Sequence, residues 1–131
     1  MGEINLVKLL RFGLSGRERP GLLDPDGEVR DLSAVVSDIN AEILGQEGLE
    51  RLRAVDWRQL PRLDEDVRLG PPLSGVGKCI AIGLNFSDHA AESGMAAPNE
   101  PIVFMKAVTC IQGPNDDVML PLASTKTDWE V

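Results

Sequence analysis

The chain has 131 residues, 43% of them hydrophobic and 26% charged, the composition of a soluble globular protein with length for one domain or two small units. Its formal net charge of −8 sets it against phosphate backbones and anionic lipid, so neither a nucleic-acid nor a membrane role is expected. No apolar run approaches the about 18 residues needed to span a bilayer. The opening "MGEINLVKLLRFG" is too short and too mixed for a signal peptide, which makes a cytoplasmic protein the expectation.

In chain order, residues 4–12, "INLVKLLRF", predict a strand, and "SGRERPG" a polar turn. "LLDPDGEVRDLS" predicts a hairpin, because Asp, Pro and Gly in "DPDG" supply the chemistry of a tight turn between short strands. Ser33 is placed to cap a following helix through its hydroxyl. "AVVSDINAEIL" and "EGLERLRAV" carry apolar residues at helical spacing, with Leu49, Leu52 and Val55 as one stripe and Gly45 and Gly48 as breaks.

Between residues 56 and 75 the character changes. Prolines at 61, 71 and 72 and glycines at 70 and 75 predict a linker or extended crossing segment between two units. This divides the chain into a small N-terminal α/β domain, residues 1–72, and a second unit, residues 73–131. The second unit opens with "CIAIGLNF", a short buried strand ending in glycine. "SDHAAES" follows as one to two turns of helix, capped by Ser87 or Asp88 and closed by Gly94 in the left-handed position. "IVFMKAVTCIQG" reads as a strand or strand pair, "GPNDD" as a turn only, and "VMLPL" as another short strand. Cys79 and Cys110 lie in apolar runs and read as buried thiols, without the spacing of a zinc site or a disulfide framework.

His89 is the only histidine. On a helix, Glu92 three residues later shares its face, within side-chain reach. A carboxylate beside an imidazole fixes the tautomer, raises basicity and stabilises the imidazolium, which is the arrangement of a water-activating general base. The alternative is a solvated surface pair worth about 0.2–0.5 kcal/mol. In "TDWEV", alternation puts Asp128 and Glu130 on one strand face. Such carboxylates either ligate a hard cation such as Mg²⁺ or Ca²⁺ or simply face solvent. Lys106 is either a snorkelling strand-end lysine or a cation that meets an anionic substrate.

"IAIGLNFSDHAAESG", "EPIVFMK", "GPNDDVMLP" and "STKTDWEV", in this order and spacing, closely resemble the opening of the catalytic domain of the fumarylacetoacetate hydrolase family. The resemblance spans roughly residues 76 to 131, and residues 1–75 look like the small N-terminal domain of its bacterial members. It implies an α+β chain, with the N-terminal domain followed by the first part of a mixed β-roll, truncated. It implies Mg²⁺ as cofactor, with Mn²⁺ or Ca²⁺ as substitutes, a small-molecule oxo acid as substrate, and a homodimer at full length. It makes His89 and Glu92 the catalytic dyad and Glu130 the first metal ligand. Lys106 matches the family's "FxK" lysine near the active site, and Asn85 is taken with it as substrate-binding. The implied activity is carbon–carbon cleavage of 2,4-dioxo acids, such as an acylpyruvate or a 2,4-diketo-3-deoxy sugar acid, to pyruvate and a second acid. Ureidoglycolate lyase and 2-oxo acid isomerase or decarboxylase activities of the same family are alternatives, as is a non-catalytic, subunit-forming domain. The family's remaining metal carboxylates and a catalytic lysine would fall after Val131. The chain is therefore expected to be the N-terminal portion of a longer protein, inactive alone.

Overall fold

A computed structural model describes residues 8–64 and 66–127. In chain order the elements are β1 (Lys8–Phe12), β2 (Arg19–Leu23), β3 (Val29–Asp31), α1 (Gln46–Arg53), a 3₁₀ turn at Trp57–Gln59, β4 (Cys79–Gly83), α2 (Ser87–Glu92), β5 (Ile102–Lys106) and a second 3₁₀ turn at Val108–Cys110. Two antiparallel sheets result, one ordered β1-β2-β3 and one made of β4 and β5 alone.

The predicted hairpin is β2–β3. Its turn is held by Asp24: the backbone carbonyl accepts from Gly27 N–H at 3.0 Å, and Oδ1 accepts from Asp26 N–H at 3.0 Å and Glu28 N–H at 2.9 Å. Gly27 takes φ 86°, which its missing Cβ allows without strain. Pro20 sits in the central strand, yet β3 pairs only with Gly21, Leu22 and Leu23, so the proline's absent N–H interrupts no bond to β3. At Gly21 a Cβ would lie 2.8 Å from a Leu10 methyl and 3.0 Å from Phe12, so the close approach requires glycine.

Leu22, Leu32, Val36, Ile39, Leu52 and Leu60 form the core, with Leu9, Val35, Ile43, Val55 and Trp57 packed around it. Leu32 and Ile39 are 0% and 1% exposed, and each such side chain contributes about 1.5–3 kcal/mol of burial. α1 delivers Leu52 to this core and carries Leu49 half-buried, while Val55, the third residue of the expected stripe, is half-buried just past the helix's C-cap Ala54.

The other expected helix, over "AVVSDINAEIL", does not form. Residues 34–44 follow a series of turns, and Gly45 is the N-cap of α1, whereas Gly48 lies inside that helix. Asp38 Oδ1 takes the Ile39 N–H at 2.8 Å and Asn40 Oδ1 the Ile43 N–H at 3.1 Å. Short polar side chains thus compete for the amides a helix would use, while Val36 and Ile39 still reach the core. Ser33 accordingly caps nothing; its own N–H donates to Asp31 at 2.8 Å.

The crossing segment lies along the N-terminal sheet through isolated bridges from Leu69 to Phe12 and from Arg62 to Arg30, and it buries Leu60. In the second unit, residues 118–122 form no strand, and "IVFMKAVTCIQG" is one strand followed by a 3₁₀ turn. Cys79 is half-buried and Cys110 exposed, contrary to the expectation of buried thiols. No residue of β4 is fully buried and every residue of β5 is exposed, so residues that read as buried strand stand open. Val103 is 62% and Met105 66% exposed. Among the described residues no helix is long and apolar enough to cross a membrane.

Candidate functional site

The site begins where β4 ends. After Gly83 the backbone turns at Leu84, the only described non-glycine residue with positive φ, at 48°. A leucine in the left-handed region costs about 1–2 kcal/mol and must be held there by its surroundings. Asn85 and Phe86 then lead into α2, whose N-cap is Phe86 without a side-chain cap. The predicted caps do not serve: Asp88 accepts the N–H of its neighbour His89 at 3.0 Å. The C-terminal end matches expectation. Gly94 adopts φ 65°, its N–H donates to Ala91 at 3.1 Å, and Met95 N–H donates to Ala90 at 3.0 Å, the pairing of a Schellman cap.

α2 buries Ala90 at 3% exposure and leaves Asp88, His89 and Glu92 in solvent. His89 and Glu92 stand three residues apart on the helix and so share a face. Their side chains make no hydrogen bond or ion pair with each other, among those of the described residues. The helix brings them to one place, open to water.

Beside α2 lies an open cleft of about 540 Å³, lined from Ile82 to Asn85, by Ser87, and by the loop from Ala97 to Pro101. Gly83 pairs with Ile102, so both chain segments that line the cleft leave the sheet at the same end. Asn85, Asn99 and Glu100 supply the polar groups of its wall. The sequence pointed to Ser87 only as a helix cap and did not single out Asn99 or Glu100, whose one signal was the pair of prolines that flank them.

Of the candidate residues, Asn85 lines this cleft, and His89 and Glu92 stand on the helix that follows it. Lys106 pairs with Cys79 at the opposite end of the sheet, four residues and about 14 Å along the strand from Gly83. Glu130 and its neighbour Asp128 lie outside the described residues. Among the described residues no three His, Cys, Asp or Glu side chains converge on a metal position. They do not by themselves make up a cation's coordination shell.

Residues 78–131 match the model of a family described as fumarylacetoacetate (FAA) hydrolase, C-terminal. Over 125 residues the chain is 54% identical to a protein of Burkholderia lata, and 53% identical to proteins of Burkholderia ambifaria and Burkholderia cenocepacia. Each carries the name "Putative hydrolase". Each alignment covers 95% of this chain and 44% of the relative, so the chain spans less than half the length of the curated relatives it matches.

Proposed function

We infer from the match of residues 78–131 to the fumarylacetoacetate hydrolase family, and from the hydrolase-named relatives, that in a protein of the relatives' length this chain contributes the water-activating part of a carbon–carbon hydrolase. The proposed substrates are 2,4-dioxo acids, an acylpyruvate or a 2,4-diketo-3-deoxy sugar acid, cleaved to pyruvate and a second acid. The supporting observation is the position of His89 and Glu92: one face of α2, directly after the strained Leu84 turn and beside a cleft with Asn85 in its wall.

The chemistry asks two things of these residues. His89 takes a proton from water. Glu92 accepts the imidazole's other N–H and stabilises the imidazolium that results, an arrangement that raises rates by about 10²–10⁴-fold. The hydroxide adds to the distal carbonyl, the tetrahedral oxyanion collapses, and the carbon–carbon bond breaks to the acid and the enolate of pyruvate. The His89 proton then passes to the enolate carbon, which balances the reaction as one water consumed. Asn85 would orient the oxo acid through its amide. A divalent cation, Mg²⁺ with Mn²⁺ or Ca²⁺ as substitutes, belongs to the proposal with Glu130 as one ligand; when bound it would act as a Lewis acid toward the 2-oxo carboxylate. A homodimer in the cytoplasm is the assembly we propose.

The test is His89→Asn in a protein of the relatives' length, with pyruvate release from an acylpyruvate as readout. We expect kcat to fall about 10²–10⁴-fold with Mg²⁺ affinity little changed. Unchanged turnover would remove the dyad. Release of glyoxylate from ureidoglycolate in place of pyruvate would move the activity to the lyase branch.

A further inference from the structure

Arg68, in the crossing segment, has all three guanidinium nitrogens engaged. Nε donates to Asp116 Oδ1 at 2.7 Å and Nη2 to Asp116 Oδ2 at 2.5 Å, a bidentate pair across 48 residues of sequence. Nη1 donates to the Gly13 carbonyl at 2.8 Å and to Glu18 Oε1 at 3.1 Å. Glu18 Oε2 lies 3.8 Å from Arg11, and Arg11 in turn grips Asp38 through Nε at 2.7 Å and Nη2 at 3.1 Å. Asp116, Arg68, Glu18, Arg11 and Asp38 thus form a row of alternating sign from the "GPNDD" turn to the segment beneath the N-terminal core. Alternation means that each inner charge has opposite neighbours, and the bidentate end is the strong geometry for a guanidinium and a carboxylate.

A second observation is independent of charge. Gly113 is buried, and a Cβ there would collide with the Leu69 carbonyl oxygen and lie 2.8 Å from Asp116 Oδ2. The turn therefore seats its backbone directly against the residue after Arg68. Its own shape is held from within, by Gly113 N–H to Asp116 Oδ2 at 2.8 Å and Asp116 N–H to the Gly113 carbonyl at 3.2 Å. A turn of purely local purpose needs neither the close approach nor the distant arginine.

We propose that the Arg68–Asp116 pair is an acid-releasable latch that seats the Gly113–Asp116 turn of the second unit on the N-terminal unit. The groups that set its charge are those of the row. Arg68 holds Asp116 below the usual carboxylate range, helped by the Gly113 amide and opposed by burial. At Glu18 burial acts upward, but the hydrogen bonds from its own backbone, Arg68 and Gly16, with the charge of Arg11, leave it lowered. At Asp38 burial is likewise outweighed, chiefly by Arg11. A carboxylate with a depressed value in the folded state stabilises it fully above its unfolded value. That contribution is lost as pH falls through the lower, folded value. The latch is therefore closed at neutral pH and opens only on acidification below the ordinary carboxylate range.

Hydrogen exchange, read by mass spectrometry on peptides spanning 111–117 of the full chain, tests it. Arg68→Met should lower protection at Gly113 and Asp116 by about tenfold, the consequence of losing a charge-assisted pair. The amides of Leu32 and Val36 in the N-terminal unit should keep theirs. Arg68→Lys, which cannot form the fork, should fall between. The unsubstituted chain should lose the same protection in acid, measured against unstructured peptides at each pH. Wild-type protection in Arg68→Met would overturn the proposal. Should that variant fail to fold, the unsubstituted chain decides: protection at 111–117 lost on acidification while Leu32 and Val36 keep theirs supports the latch, and protection at 111–117 that persists until the whole chain unfolds overturns it.

Discussion

Lys106 stands opposite Cys79 in the ladder between β4 and β5, at the far end of the sheet from the turn that carries Asn85. Cross-strand partners have Cβ atoms about 4.5–5.5 Å apart, close to the reach of a disulfide. Lys106→Cys should therefore oxidise to a bond with Cys79, seen by peptide mapping without reductant. Met105→Cys, which points to the opposite face, should not. The reverse pattern would mean that the register is shifted by one residue and every side chain of β5 faces the other way.

Asp24 gives a prediction about acid. Its carboxylate is fully enclosed, and it also accepts from Arg30 Nε at 2.8 Å. Burial alone would push its pKa up; the Glu28 amide, Arg30 and the Asp26 amide outweigh it and leave the value lowered. Its stabilising effect is present above the unfolded value and fades as pH falls through the folded one. Asp24→Asn should lower the urea midpoint at pH 7 and make much less difference at pH 2. Equal losses at both pH values would show that the charge of Asp24 is not what the hairpin uses.

Leu84 carries backbone strain at the entrance to the cleft. Leu84→Gly removes about 1 kcal/mol or more of left-handed strain but forfeits a half-buried side chain, so thermal stability should change little in either direction. Leu84→Val keeps the strain and adds β-branching, and should destabilise by about 1–3 kcal/mol. Differential scanning calorimetry on the two variants distinguishes them. A valine as well tolerated as glycine would mean that the backbone relaxes out of the left-handed region.

The sheet of β4 and β5 exposes both faces: Ile102 and Phe104 on one, Val103 and Met105 on the other. Two strands without a covered face are marginal in water. The 131-residue chain expressed alone should bind a hydrophobic-surface dye and self-associate as its concentration rises. Val103→Lys with Met105→Lys should reduce both effects. Static light scattering reads the association, and a scattering curve that does not respond to the double substitution would place the sticky surface elsewhere.

Short-range chemistry was legible in the sequence. The hairpin at Asp24–Gly27, the strand that ends at Gly83, the short helix with Gly94 behind it and the shared face of His89 and Glu92 all depend on residues within a few positions of one another. Their turn residues and spacing state the outcome directly. The linked motifs of residues 76–131 carried the family for a similar reason: their order along the chain is itself the signal. Tertiary structure decided the rest. Residues 34–44 have helical spacing, but their aspartate and asparagine side chains capture local amides while the core accepts Val36 and Ile39 from a non-helical path. The cysteines read as buried because apolar runs usually pair under cover, and exposure depends on whether other chain segments lie over them. The "GPNDD" run read as a turn and is one, yet Asp116 meets Arg68 across 48 residues. No period or composition encodes such a pairing, because only the packing of distant chain segments brings the two charges to hydrogen-bond distance.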